Sequence, residues 1–92
     1  MASVTFTRHL YRYFPTLPRE PVEVEAGTVA EVVGALEDAF PGIAAYLLDE
    51  AGAARKHVSI YVDSVLVRDR TDLSDPVGPT SEVFVAQALS GG

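Results

Sequence analysis

Gly27-Thr28-Val29-Ala30-Glu31-Val32-Val33-Gly34-Ala35-Leu36-Glu37-Asp38-Ala39-Phe40-Pro41-Gly42 is the stretch that decides the architecture. Thr28 and Glu31 form a capping box. The Thr28 hydroxyl can take the Glu31 amide proton, and the Glu31 carboxylate can reach back to the Thr28 amide. Val29, Val32, Val33, Leu36 and Phe40 then recur at helical spacing and make a single apolar stripe. Pro41-Gly42 stops the helix. A helix with one greasy side needs one surface to cover it, and the flanking sequence supplies a sheet.

Toward the N-terminus, Val22-Glu23-Val24-Glu25 alternates apolar with acidic, as does Val4-Thr5-Phe6-Thr7 with polar residues, so each reads as a half-buried strand. Pro15, Pro18 and Pro21 between them predict a connection without regular structure. Toward the C-terminus, Ile43, Tyr46 and Leu47 suit one further short turn before the bend Asp49-Glu50-Ala51-Gly52. Val58–Val62 and Val65–Val67 flank Asp63-Ser64, the mark of a tight hairpin. Arg68 to Ser81 is a loop pinned by Leu73 and Val77, and Glu82 to Ala86 is the last strand. Strand, strand, helix, strand, strand, strand is the order of a two-layer α+β domain, with a mixed sheet of four to five strands on one main helix. The two end strands are expected side by side at the sheet centre, so that the chain's end leaves the middle of the sheet. Residues 1–88 form the domain and residues 89–92 a flexible tail.

The chain holds no cysteine, which excludes disulfides, thiolate metal sites and a cysteine nucleophile. Its net charge of −6 argues against nucleic acid and anionic membrane as partners. No apolar run reaches membrane-spanning length and Met1-Ala2-Ser3 opens no signal pattern, so a cytoplasmic location is the default expectation. Charge is unevenly placed: Arg8, Arg12 and Arg19 precede every acid, and all thirteen acids lie from Glu20 onward. Bases interleaved with aromatics over Arg8–Phe14 match a single-strand nucleic-acid pattern. The acidic remainder favours instead aromatics that cap the core and arginines that meet the protein's own acids. His9 and His57 have no partner at ligand spacing and read as ordinary histidines, and Glu37, Asp38, Asp49 and Glu50 as a solvated helix face and bend.

After the last strand the sequence runs Leu89-Ser90-Gly91-Gly92. Two residues without Cβ make the slimmest peptide possible, suited to threading a carboxylate into a narrow channel. The bland alternative is a frayed end.

Taken together, these pieces resemble the β-grasp, ubiquitin-like sulfur carriers, the family of the molybdopterin synthase small subunit (MoaD) and the thiamine-pathway carrier (ThiS). The resemblance is carried by Val4–Thr7, Gly27–Val33, Phe40-Pro41-Gly42, Val62–Val67 and Ser81–Gly92, in that order. Two positions depart from it. Asp63-Ser64 replaces the more usual Asn-Gly turn, and Ala86 stands where molybdopterin subunits often carry a bulky aromatic.

The resemblance implies a carrier and no enzyme. The Gly92 carboxylate would attack the α-phosphate of ATP within a ubiquitin-activating-type adenylyltransferase, and sulfide or persulfide sulfur would displace AMP to leave a thiocarboxylate. A cysteine desulfurase or rhodanese would supply that sulfur, and a synthase subunit of molybdopterin or thiamine type would accept it. The chain itself would bind no cofactor and no metal. Gly91 keeps the tail slim, and Leu89 and Ser90 would be its entry anchor. Alternation of side chains puts Tyr61, Phe84 and Ala86 on the sheet face away from the helix, with Thr5 and Thr7, as a partner patch. A face covered by the Leu10–Pro21 connection is the competing arrangement. Conjugation to a lysine through Gly92, or a non-covalent binding module, are the alternative functions.

Overall fold

The computed structural model describes residues 1–8 and 10–87. Its elements are β1 (Ala2–Phe6), α1 (Leu10–Tyr13), β2 (Val22–Val24), α2 (Val29–Ala39), α3 (Ile43–Leu47), β3 (Val58–Val62), β4 (Val65–Leu66) and β5 (Glu82–Gln87). The strands form one sheet in the order β2-β1-β5-β3-β4. β1 and β5 run parallel, and every other pair is antiparallel. The first and last strands are therefore neighbours and β5 is central, as the sequence predicts.

Alternation decides which side chains meet α2. Val4, Val58, Ile60, Val83 and Val85 lie on the inner face, each nearly or wholly inaccessible. Val29, Val32, Val33 and Leu36 of α2 cover them, with Ile43 and Leu47 of α3 alongside. Burying an aliphatic side chain of this size contributes about 1.5–3 kcal/mol relative to leaving it in water. Leu73 and Val77 are buried too and pin the Arg68–Ser81 loop.

The capping box forms with one change. Thr28 Oγ1 accepts the Glu31 amide at 3.2 Å, but the Glu31 carboxylate accepts from the Gly27 amide at 2.6 Å rather than from Thr28. A Cβ on residue 27 would sit 3.3 Å from that carboxylate oxygen, tighter than ordinary contact, so glycine suits this close approach. Asp63 and Ser64 both take positive φ, 50° and 70°, as a two-residue hairpin of the twist-matched kind requires. Asp63 offsets that strain by accepting from the Glu82 amide and the Ser81 hydroxyl at 2.9 and 3.0 Å.

One expectation is overturned between β1 and β2. The connection contains a four-residue helix, α1, where no regular structure is predicted. The prolines begin only at Pro15, beyond its last residue, so they do not obstruct it. Leu10, fully buried, anchors the turn, and the Phe14 amide closes it on the Leu10 carbonyl at 2.9 Å.

Candidate functional site

The central strand of the sheet is β5, which ends at Gln87. β5 is bracketed by β1 and β3, and its last residue, Gln87, pairs with Val58. The Gln87 amide donates to Thr7 Oγ1 at 3.2 Å, and its side-chain nitrogen donates to the Tyr46 hydroxyl at 2.9 Å. Tyr46 is itself gripped by Tyr13 and Phe14, with ring centroids 5.2 and 5.4 Å away. An aromatic clamp from Tyr13 of α1, the following Phe14 and Tyr46 of α3 thus steadies Gln87 at the end of β5. Gln87 Oε1 is buried and has no hydrogen-bond partner among the described residues. Leu89, Ser90, Gly91 and Gly92, the expected tail, lie outside the described residues, as does His9.

The remaining predicted site residues come together on the outer face of the sheet. Tyr61 and Phe84 stand directly opposite in the antiparallel register, with ring centroids 6.3 Å apart. Thr5 faces Phe84 across the parallel pair, and Ser59 faces Ala86. Thr5, Tyr61, Phe84 and Ala86 line one shallow hollow of about 440 Å³, together with Ser64 and Glu82. Phe84 is 39% exposed, far more than its neighbours Val83 and Val85 at 1%. The Leu10–Pro21 connection does not shield this face, because Leu10 and Leu17 turn into the core on the other side and Phe14 packs on Tyr46.

Charged groups fall into two kinds. Glu37 is not a solvated helix acid: it accepts from the Gly42 and Ala44 amides, capping the start of α3 at 2.8–3.1 Å. Those bonds, the one from Gly42 foremost, hold its carboxyl below the usual range. Asp49 likewise accepts from the Ala51 and Ala53 amides. Asp38 and Glu50 are exposed, as expected.

Among the described residues, no hydrogen bond joins Arg8, Arg12 or Arg19 to an acid, contrary to the expected pairing. Guanidinium hydrogen bonds among the described residues belong to Arg55 and Arg70, and all run to backbone carbonyls. Arg8, Arg12, Arg19 and Tyr11 instead line a second hollow, with Arg19 5.2 Å above the Tyr11 ring. Among the described residues Glu23, Glu31, Glu37, Asp49, Asp63, Asp69 and Asp75 accept instead from backbone amides and hydroxyls, which need no ordering of a long side chain.

His57 is exposed. Among the described residues no group of three His, Asp or Glu side chains could hold a metal ion, and no helix is long and apolar enough to cross a membrane. The Gln87–Tyr46 bond and the arginine hollow are features that sequence reading misses. Only the imbalance of charge before Glu20 hints at the second.

At the level of sequence, no protein-family profile and no curated protein matches this chain. Solved structures do. A chain of the BexX/CysO complex of Amycolatopsis orientalis superposes with a TM-score of 0.83 at 24% identity, each chain covered over 100% of its length. CysO of Mycobacterium tuberculosis, described as an antigen, gives 0.80 at 23% identity, covering 97% of this chain and 100% of its own. Small archaeal modifier protein 1 of Haloferax volcanii gives 0.76 at 18% identity, covering 99% of this chain and 98% of its own. The architecture is the β-grasp, ubiquitin-like fold.

Proposed function

We propose that this chain is a ubiquitin-like sulfur carrier whose Gly92 carboxylate is activated as an adenylate and converted to a thiocarboxylate. The supporting observation is topological: β5 is the middle strand, so a segment following Gln87 starts from the centre of the sheet. A carboxylate on such a thread reaches an active site without unfolding the body that carries it. The carboxylate oxygen attacks the α-phosphorus of ATP and pyrophosphate leaves. Hydrosulfide sulfur then bonds to the acyl carbon as the bond to phosphate oxygen breaks and AMP departs. Gly91 leaves the thread free of Cβ. Acid–base groups and electrostatic stabilisation come from the adenylyltransferase, with the carrier as its cosubstrate. The sulfur is destined for a metabolite or cofactor of the molybdopterin or thiamine kind.

Tyr61, Phe84 and Ala86 are the docking face for that enzyme. The paired aromatics, Phe84 exposed and Tyr61 half-buried, supply contact area at little entropic cost, and the small Ala86 leaves the hollow open beside them. A second use of the same carboxylate, isopeptide bonding to a lysine, is supported by the likeness to small archaeal modifier protein 1, a modifier by name. Weighing the intact protein from its native host separates the two. Oxygen exchanged for sulfur at the C-terminus marks the carrier, and attachment to other proteins marks the modifier. A variant extended beyond Gly92 that still supports growth in place of the native chain overturns both.

A further inference from the structure

Arg8, Arg12 and Arg19 are the only charged side chains in residues 1–19, within a protein of net charge −6. The remaining chain, four bases against thirteen acids, carries −9. The fold nevertheless gathers all three arginines around one hollow of about 370 Å³ walled by Tyr11. All three are exposed. The carboxylates that accept hydrogen bonds among the described residues take them from amides and hydroxyls, never from these guanidiniums. Three like charges converging with no hydrogen-bonded carboxylate among the described residues form a region of positive potential that an anion would relieve.

The position of the hollow tells which anion. Arg8 follows directly on Thr7, whose hydroxyl takes the Gln87 amide at the root of the last segment. An enzyme that draws this segment into its active site must lay its own surface against that root. Guanidiniums covered there without partners would lose hydration and regain nothing, a large penalty. We propose that the Arg8–Arg12–Arg19 hollow receives an acidic loop of the enzyme that takes up the C-terminal tail. The inference rests on the carrier reading above. Carboxylates suit it because the planar guanidinium fork binds them with two parallel hydrogen bonds. A nucleic acid does not, because an extended polyanion would run from the hollow onto a surface of its own sign.

The test uses the full chain, isotopically labelled and titrated with a tetraglutamate peptide while backbone amide signals are followed. Saturable shifts at Arg8, Tyr11, Arg12 and Arg19 are expected, fading in about 0.5 M salt. Combining Arg8→Glu, Arg12→Glu and Arg19→Glu should weaken binding about ten-fold or more. Arg12→Glu alone should act in the same direction should the triple variant not fold. Absence of saturation, shifts centred elsewhere, or equal binding by the charge-reversed variant overturns the proposal. So does a hollow that answers inorganic triphosphate but not the peptide, which would make it a phosphate site. Deleting Gly91 and Gly92 should leave this titration unchanged, so the hollow and the carrier reading can fail separately.

Discussion

The Arg68–Ser81 loop and the Thr7–Pro21 connection are both long, proline-containing and charged, yet they treat their charges in opposite ways. In the first, Asp69 accepts from the Thr71, Asp72 and Ser74 amides and from the Ser74 hydroxyl, while Asp75 accepts from the Arg68 and Asp69 amides. Arg70 reaches the carbonyls of Arg55 and Val58. Asp69 and Asp75 thus hold the loop's own backbone, and Arg70 ties the loop to the start of β3. In the second, aromatics and Leu10 and Leu17 do the holding, and Arg8, Arg12 and Arg19 are left facing a hollow. The difference teaches how to separate scaffold from surface in a small domain: a charge already bonded to nearby amides is structural, and one held by packing alone is free to meet a partner.

Removing the apolar pin of the first loop should have the largest effect. Leu73 is 2% exposed, and Leu73→Ala should cost about 2–5 kcal/mol in urea unfolding. Binding of tetraglutamate at the arginine hollow should not change. If it does, the two regions are coupled and the contrast between them is lost.

Charge neutralisation in the same loop comes next. The Ser74 hydroxyl first, and then the Asp72 amide, hold the Asp69 carboxyl down at about 2, against an ordinary 3.8. A carboxyl with a lowered folded-state pKa stabilises fully above its unfolded value and loses that contribution as pH falls through the folded one. Stability from Asp69 should therefore be complete above pH 3.8 and fade toward pH 2. Asp75, lowered chiefly by the Arg68 amide, and Glu37, lowered chiefly by the Gly42 amide, add to the same acid sensitivity. Asp69→Asn should lower the melting temperature at neutral pH and flatten its decline in acid. Parallel melting curves for variant and native protein down to pH 2 would remove the scaffold role of this loop.

The smallest expected change is on the other side of the comparison. Reversing the three arginines should alter unfolding free energy by no more than about 0.5 kcal/mol per site, since exposed side chains that make no hydrogen bond among the described residues seldom matter to stability. Thermal melts of the charge-reversed protein check this. A large destabilisation would show that these guanidiniums are scaffold after all.

Much of this molecule is legible in the chain because local rules suffice for it. The Thr28 cap, the Val29–Leu36 stripe and the alternation in β1, β3 and β5 state helix, strands and inward faces without reference to anything distant. The same alternation places Tyr61, Phe84 and Ala86 outward together, since period and parity alone determine sides. The Asp63-Ser64 hairpin follows from its two polar residues, although what makes positive φ tolerable there, bonds to Ser81 and Glu82, is eighteen or more residues away.

Tertiary structure alone decided the rest. Sequence by itself determined the two-layer plan, which strands run where and which side of each is wet, because side-chain period and helix caps are properties of neighbours. It did not determine that Glu31 reaches Gly27, that α1 forms on a buried Leu10, or that Tyr46 holds Gln87 across forty-one positions. Nor did it show which charges are satisfied. A carboxylate's partner depends on which amides the folded chain brings within hydrogen-bond reach, and among the described residues none of the carboxylates so held bonds Arg8, Arg12 or Arg19.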